Sequence, residues 1–202
     1  MYYASRQELV AQEGGVMEIY TVGHSTHTKE EFLKLLDEAG IKKLVDVRAF
    51  PGSRKFPHFH EDRMKEWLPE HGIAYQHCPK LGGRRKKSQD IENEVNEGWH
   101  NQSFHNYADY TLTDEFQAGI EQLMGEAAEL RLAICCSERH PARCHRLLIS
   151  NWLASHGWQV KHIIDGPHDK VLIETHEVGQ WGAQPVVSKE GELTYPPAED
   201  NE

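Results

Sequence analysis

Short apolar runs alternate along the chain with longer stretches whose apolar residues recur every three or four positions. The short runs are rich in β-branched and aromatic residues, which favour β-strands. In chain order they read MEIYTVG, KKLVDV, IAYQHC, LRLAICC and WQVKHII. The sequence therefore predicts five strands.

Helical spacing dominates the stretches between these runs. Four segments predict α-helices, and they read THTKEEFLKLLDEAG, HEDRMKEWLPEHG, TDEFQAGIEQLMGEAAE and RCHRLLISNWLASHG. In the first segment Thr28 is the expected N-cap and Gly40 ends the helix. Before the last segment, Pro141 suits a first helical turn, which would place Cys144 near the amino end of that helix.

Alternating strands and helices favour a parallel sheet, because parallel strands need crossover connections. We expect a single α/β domain with three layers, in which a Rossmann-like, doubly wound, mainly parallel five-stranded sheet has helices on both faces. The natural strand order for such a sheet is 3-2-1-4-5. The predicted domain spans residues 17–164, between an N-terminal extension, 1–16, and a C-terminal tail, 165–202.

The formal charge of −10 is concentrated in the predicted tail, where nine acidic and two basic residues give −7. Residues 1–16 contribute −1, so residues 17–164 carry only −2. We expect the tail to be acidic and partly disordered. The chain has no long apolar run and no signal-peptide pattern, and its four cysteines are too few for a disulfide scaffold. The protein is therefore expected to be cytoplasmic, without membrane contact.

Basic residues cluster in loops that follow the predicted strands. Eleven of the 19 Lys and Arg residues in the predicted domain fall within 48–60, 79–87 and 137–146, together with one acid, Glu138. In a parallel α/β sheet these loops meet at the carboxyl edge of the strands, where ligands bind. A positive edge on a nearly neutral domain predicts an anion-binding surface.

Five motifs occupy these loops and their neighbours, and they read TVGHST, LVDVRAFPGSRKFPHF, LGG, SFHNYADY and CSERHPARCHR. In this order they resemble the domain of unknown function 488 family (DUF 488) over residues 17–164. The resemblance implies a Rossmann-like α/β fold in a bacterial or archaeal cytosolic protein, and it implies no established reaction. The positions that match the family signature are Gly23, His24, Ser25, Asp46, Arg48, Pro51, Ser53, Arg54, Leu81, Gly82, Gly83, Tyr107, Tyr110, Cys136, Glu138, Cys144, His145 and Arg146.

The stretch AICCSERHPARCHRLL combines cysteines, histidines and arginines. A zinc site is disfavoured there by the ligand spacing and by three neighbouring arginines that would repel a cation. Its candidate ligands would be Cys136, His140, Cys144 and His145. A phosphatase-like loop is also disfavoured, because no arginine stands six positions after Cys135 or Cys136.

Three interpretations of the stretch stay open. Cys144 is a candidate activated thiolate, because a helix start and nearby arginines lower a thiol pKa. Cys136 is a candidate redox partner for Cys144, since the two flank one loop. Arg143 and Arg146 are candidates to hold a phosphate or carboxylate at the helix start. Cys135 is expected to be a small residue of the core.

We expect an enzyme-like protein that binds a phosphorylated or nucleotide-like anionic ligand at the C-terminal edge of the sheet, with the reaction and the oligomeric state left open. The predicted catalytic residues are His24, Glu138 and Cys144. The predicted ligand-binding residues are Ser25, Asp46, Arg48, Ser53, Arg54, Tyr107, Cys136, Arg143, His145 and Arg146. No metal and no cofactor are predicted. The alternatives are a nucleic-acid-binding module, and a redox or metal sensor that uses Cys136 and Cys144.

Overall fold

The computed structural model describes residues 15–198, and a six-stranded sheet forms the centre of this part of the chain. Its strands are β1 (Glu18–Gly23), β2 (Lys43–Asp46), β3 (Ala74–His77), β4 (Leu132–Cys136), β5 (Gln159–Asp165) and β6 (Val171–Thr175). The α-helices are α1 (Lys29–Glu38), α2 (Glu61–Glu70), α3 (Gln102–Thr111), α4 (Asp114–Ala127) and α5 (Arg146–Ser155). Two short strands, β7 (Val186–Val187) and β8 (Leu193–Thr194), pair as a separate hairpin.

The strand order is β3-β2-β4-β1-β5-β6, and every pair is parallel except β5 with β6. The register places Gly23 beside Cys136 and places Asp46 beside Cys135. The ends of β1, β2 and β4 therefore meet at one carboxyl edge, and the loops that follow these strands share that edge.

The predicted α/β class and the mainly parallel sheet are confirmed, whereas the predicted strand order is wrong. Strand β4 lies between β1 and β2, where the order 3-2-1-4-5 had placed β1 directly beside β2. An apolar strand indicates that both faces of the sheet are covered, but it does not indicate which strands lie beside it in the sheet. The crossover through α1 skips one position, which β4 later fills.

Helices cover both faces of the sheet. Helices α1 and α2 pack on one face, and α3, α4 and α5 pack on the other. Because side chains alternate along a strand, the adjacent Cys135 and Cys136 belong to opposite cores. Cys135 is fully buried in the α1 and α2 layer, as expected for a core residue. Cys136 faces the α5 layer, where Cys144 also lies.

The local signals for α1 are confirmed. Thr28 caps the helix, since its Oγ1 accepts a hydrogen bond from the Glu31 amide at 3.1 Å while the Glu31 carboxylate accepts from the Thr28 amide at 2.7 Å. Gly40 follows the helix with a positive φ of 66°, a conformation that a Cβ disfavours. The expectation for Pro141 is wrong, because Pro141–Arg143 forms a separate 3-10 turn and α5 begins only at Arg146. Cys144 precedes the helix.

One helix, α3, and three strands, β6, β7 and β8, go beyond the four helices and five strands expected. Helix α3 lies in a stretch for which no helix was predicted, and β6 lies in the predicted tail. The later part of that segment contacts the domain core, where Leu193 and Tyr195 are buried. Of the predicted N-terminal extension, residues 1–14 lie outside the described residues. No helix within residues 15–198 has the length and apolar character needed to span a membrane.

Candidate functional site

A cleft of about 640 Å³ opens at the carboxyl edge of the sheet. The loops after β1, β2, β3 and β4 form its walls, and the amino end of α3 closes one side. This is the position at which parallel α/β sheets bind ligands. Nine of the predicted site residues line it, and they are His24, Ser25, Arg48, Ser53, Cys136, Glu138, Arg143, Cys144 and His145.

A buried ion pair forms one wall of the cleft. The Arg48 Nε donates to Asp46 Oδ1 and Oδ2 at 2.9 and 3.0 Å, and the Tyr75 hydroxyl donates to Asp46 Oδ2 at 2.7 Å. Asp46 is fully buried and Arg48 is 5% exposed. The carboxylate of Asp46 therefore neutralises and orients Arg48. Such pairing is needed because burying an unpaired charge costs free energy.

His24 is held against this pair in the neutral form. Its Nε2 accepts a hydrogen bond from Arg48 at 3.3 Å, and its Nδ1 donates to the Ser25 carbonyl at 3.0 Å. Burial and the positive charge of Arg48 lower the pKa of His24 to about 4. The ring also stacks on Phe59, with ring centroids 4.4 Å apart. Both ring nitrogens are engaged, so this geometry favours positioning by His24 over proton transfer.

The loop after β4 passes directly over the end of β1. A Cβ on Gly23 would lie 1.8 Å from the Glu138 carbonyl oxygen, so only glycine permits this approach. Ser25 follows with a φ of 49°, and its amide donates to the Ser137 carbonyl at 2.9 Å. A left-handed conformation outside glycine stores strain, which clusters at functional sites.

Two thiols and an imidazole meet on the floor of the cleft. The sulfurs of Cys136 and Cys144 and the Nδ1 of His145 all lie within 4.8 Å of one another. His145 Nδ1 is 3.6 Å from the Cys144 sulfur and 3.9 Å from the Cys136 sulfur. Its Nε2 is 2.9 Å from the Val47 carbonyl, which can only accept, so Nε2 carries the proton. In the neutral ring Nδ1 is therefore an acceptor that faces both sulfurs.

The two thiols differ in their acidity. Burial opposes the charged form of Cys144, but hydrogen bonding from Cys136 and the positive charge of Arg146 outweigh it and lower the pKa of the Cys144 thiol. The same hydrogen bond, together with burial, raises the pKa of the Cys136 thiol. Cys144 is therefore the more acidic thiol of the pair.

Arg146 lies beneath the cleft rather than on its wall. Its side chain is 1% exposed, and its guanidinium donates to the Thr21 hydroxyl at 3.0 Å and to the Glu138 carbonyl. The carbonyl of Glu138, not its carboxylate, therefore holds this arginine. Arg146 fixes the loop after β4 to strand β1 and supplies positive charge to Cys144.

A directional chain of hydrogen bonds continues from Arg146 through the domain. Thr21 Oγ1 lies 2.7 Å from His162 Nδ1. Because Asn151 Oδ1 at the far end of the chain can only accept, each neutral ring donates from Nε2 and accepts at Nδ1, so the Thr21 hydroxyl donates to His162. His162 Nε2 then donates to His176 Nδ1 at 3.1 Å. His176 Nε2 donates to Asn151 Oδ1 at 2.9 Å. Both imidazoles are neutral in this chain.

Four predicted ligand-binding residues do not line the cleft, namely Asp46, Arg54, Tyr107 and Arg146. Asp46 and Arg146 lie behind it in the roles described above. Tyr107 is fully buried, donates to the Leu81 carbonyl at 2.8 Å and supports the His145 ring from 5.0 Å. Arg54 is exposed on the loop after β2, outside the lining.

Other lining residues were not among the predicted site residues, and chief among them are Phe50, Arg84, Asn101, Ser103 and Phe104. Arg84 stands in a run of four basic residues, where nothing in the pattern indicates which side chain faces the cleft. Asn101 caps α3 by accepting from the Ser103 and Phe104 amides. The Asn N-cap was the signal that would have predicted this helix and its place at the cleft.

The Cys136, Cys144 and His145 cluster also has the donor set of a soft metal ion. His140, the fourth ligand considered from the sequence, accepts instead from the Ala142 amide at 3.2 Å. A His145 ring whose other nitrogen donates to a carbonyl matches the usual support of a metal-bound histidine. These three residues could therefore hold a metal ion.

The fold and the cleft define a three-layer α/β protein with cysteine and arginine side chains at the carboxyl edge of its sheet. Residues 28–153, more than half of the chain, match the family described as Domain of unknown function DUF488, and the chain belongs to this family. The resemblance drawn from the sequence motifs is thereby confirmed. Neither the curated proteins nor the solved structures contain a match.

Proposed function

We propose that this chain is an enzyme-like cytosolic protein that binds a phosphorylated or nucleotide-like anion in the cleft. The observation that carries the proposal is the presence of two exposed arginines on the cleft wall, Arg84 and Arg143. Neither has a carboxylate partner among residues 15–198, whereas Arg48 is neutralised by Asp46. In the part of the chain that the structure describes, Glu138 is the only acidic residue of the lining. Two unpaired guanidinium groups in one concave site favour phosphate or carboxylate.

Aromatic rings beside these arginines support a ligand with a planar group. Phe50 is 72% exposed, an unusual state for a phenylalanine, and Arg84 stacks over its ring at 5.5 Å. Phe56 and Phe104 also line the cleft. A base could stack on such rings while its phosphate meets the arginines.

Cys144 is the reactive group that we assign to this site. A thiolate is a nucleophile, and Cys144 lines the cleft close to the anion-binding side chains. Glu138 is exposed in the same lining and is the candidate acid or base, because His24 has both ring nitrogens engaged.

The test is thermal stabilisation by inorganic pyrophosphate and by ADP at fixed ionic strength. Saturable stabilisation is expected for the native protein, and Arg143→Ala and Arg84→Ala are each expected to weaken binding by about ten-fold. Arg63→Ala is the matched control, because Arg63 is an exposed arginine of α2 outside the cleft. Equal stabilisation of all four proteins would contradict the proposal.

Nucleic-acid binding is the second candidate, favoured by the same arginine and phenylalanine side chains. It predicts affinity for single-stranded oligonucleotides of many sequences that falls linearly with the logarithm of the salt concentration. Saturation by ADP without oligonucleotide binding would favour the small ligand.

A further inference from the structure

The Cys136 and Cys144 pair is built differently from the other two cysteines of the chain. All four cysteines are buried, but Cys136 and Cys144 line the cleft, whereas Cys78 and Cys135 do not. They come from the end of β4 and from the residues before α5, so each sulfur is held by an ordered element. All four cysteines are free thiols. A dithiol at the floor of an open cleft can meet a small molecule from solution.

His145, the third member of the cluster, can act as a base for the two thiols. His145 Nε2 donates to the Val47 carbonyl, which leaves Nδ1 able to accept a proton from either thiol. Its orientation depends on Gly83, because a Cβ there would lie 2.3 Å from Nδ1. The LGG motif therefore makes room for a base beside the two sulfurs.

We propose that Cys136, Cys144 and His145 form a thiol–disulfide exchange centre for a small disulfide that carries an anionic group. Cys144 attacks the substrate, Cys136 resolves the mixed disulfide, and His145 accepts the proton of Cys136. The anionic substrate class rests on the proposed function, because Arg84 and Arg143 would bind the charged group. The exchange chemistry rests on the sulfur cluster alone.

The two steps balance without a further reactant. The Cys144 thiolate attacks one sulfur of the disulfide RSSR, which forms Cys144–S–SR and releases RS⁻. Cys136 then loses its proton to His145 Nδ1 and attacks the Cys144 sulfur, which forms the Cys136–Cys144 disulfide and releases the second RS⁻. The proton passes from His145 to a released thiolate, and solvent protonates the other. Two protein thiols are oxidised and RSSR is reduced to two RSH.

The order of the two attacks follows from the surroundings of each sulfur. Cys144 is the better attacking group because Cys136 and Arg146 stabilise its thiolate. The Cys136 sulfur lies 3.9 Å from His145 Nδ1, so the group that accepts its proton is in place when the mixed disulfide has formed.

The experiment treats chelator-washed, reduced full-length protein with oxidised glutathione, which is anionic, and with bis(2-hydroxyethyl) disulfide, which is neutral. Peptide mapping by mass spectrometry is expected to find a Cys136–Cys144 disulfide in the native protein. Cys136→Ser should trap the mixed disulfide on Cys144. In Cys144→Ser the cluster thiol that remains is Cys136. This variant should react at least ~30-fold more slowly near pH 7, because a thiol without a lowered pKa is mostly protonated there. Cys78→Ala, in the core, should react as the native protein does.

Three outcomes would overturn the proposal. The exchange centre is excluded if neither disulfide reagent links Cys136 to Cys144 in the native protein, or if Cys144→Ser reacts at the native rate. If the native protein keeps a bound metal through the chelator wash and Cys136→Ser loses it, the cluster is a metal site instead. Equal rates with the two reagents, unchanged in Arg143→Ala, would overturn the anionic substrate class alone. Stabilisation by pyrophosphate is measured separately, so the proposed function can stand or fail on its own.

Discussion

Acidification is expected to destabilise the protein through the buried chain that links Arg146 to Asn151. His162 is 1% exposed and His176 is 6% exposed, and each uses both ring nitrogens in the chain. A second proton on His176 would set two N–H groups against each other, because His162 already donates to its Nδ1. The ring must then break a buried hydrogen bond or leave its site.

The size of the effect follows from the pKa of His176. Burial lowers this pKa from the ordinary 6.5 to about 4. Below 6.5 the unfolded chain binds a proton that the folded protein excludes, so stability is complete above pH 6.5 and is lost as the pH falls towards 4. Between about pH 8 and about pH 5, His176 alone should remove about 2 kcal/mol from the free energy of unfolding.

Urea unfolding, followed by tryptophan fluorescence at both pH values, measures this loss. His176→Gln cannot be charged, so it should be less stable than the native protein at pH 8 but should lose about 2 kcal/mol less on acidification. His100→Gln, which replaces an exposed histidine, should keep the full native pH dependence. If native protein and His176→Gln lose the same stability between the two pH values, His176 accepts its proton in the folded state and the reasoning fails.

Two substitutions test the cleft itself. Asp46→Asn removes the carboxylate of the buried Arg48 and is expected to cost about 3–5 kcal/mol in urea unfolding, whereas a loss below about 1 kcal/mol would mean that the guanidinium finds water. Gly83→Ala drives a Cβ into the ring of His145 and should cost about 1–3 kcal/mol while slowing disulfide formation in the cleft. Gly125 lies on helix α4, and a Cβ there would meet nothing within 4 Å, so Gly125→Ala should raise the free energy of unfolding by about 0.5–1 kcal/mol. Equal stability changes in the two alanine variants would contradict the clash at Gly83.

The sequence predicted the parts of the fold that short-range signals encode. Thr28 and Gly40 marked the ends of α1 because capping and a left-handed φ are local requirements. The loops after the strands were correctly placed at one edge, since every parallel strand ends there. The order of the strands was missed, because pairing between β1 and β4 depends on partners far apart in the chain.

Most of the residues predicted for the site line the cleft, but the sequence did not indicate which of them lie behind the lining. Arg48 and Arg146 look alike in the sequence, but Asp46 turns Arg48 towards the cleft, while Thr21 holds Arg146 beneath it. Arg54 was expected at the cleft with Arg48, yet its loop carries it outside. Such choices depend on side-chain partners from other strands, which spacing along one chain does not reveal.

The position of β1 at the centre of the sheet has a consequence for how the chain acquires its structure. Both neighbours of β1 come from late in the sequence, β4 at Leu132–Cys136 and β5 at Gln159–Asp165. Contacts between such distant segments require long loops to close, which slows folding. During synthesis β1 emerges early and its edges stay unpaired until more than a hundred further residues have been added. The nascent chain is therefore exposed to misassociation through β1, and chaperone dependence should respond to substitutions there.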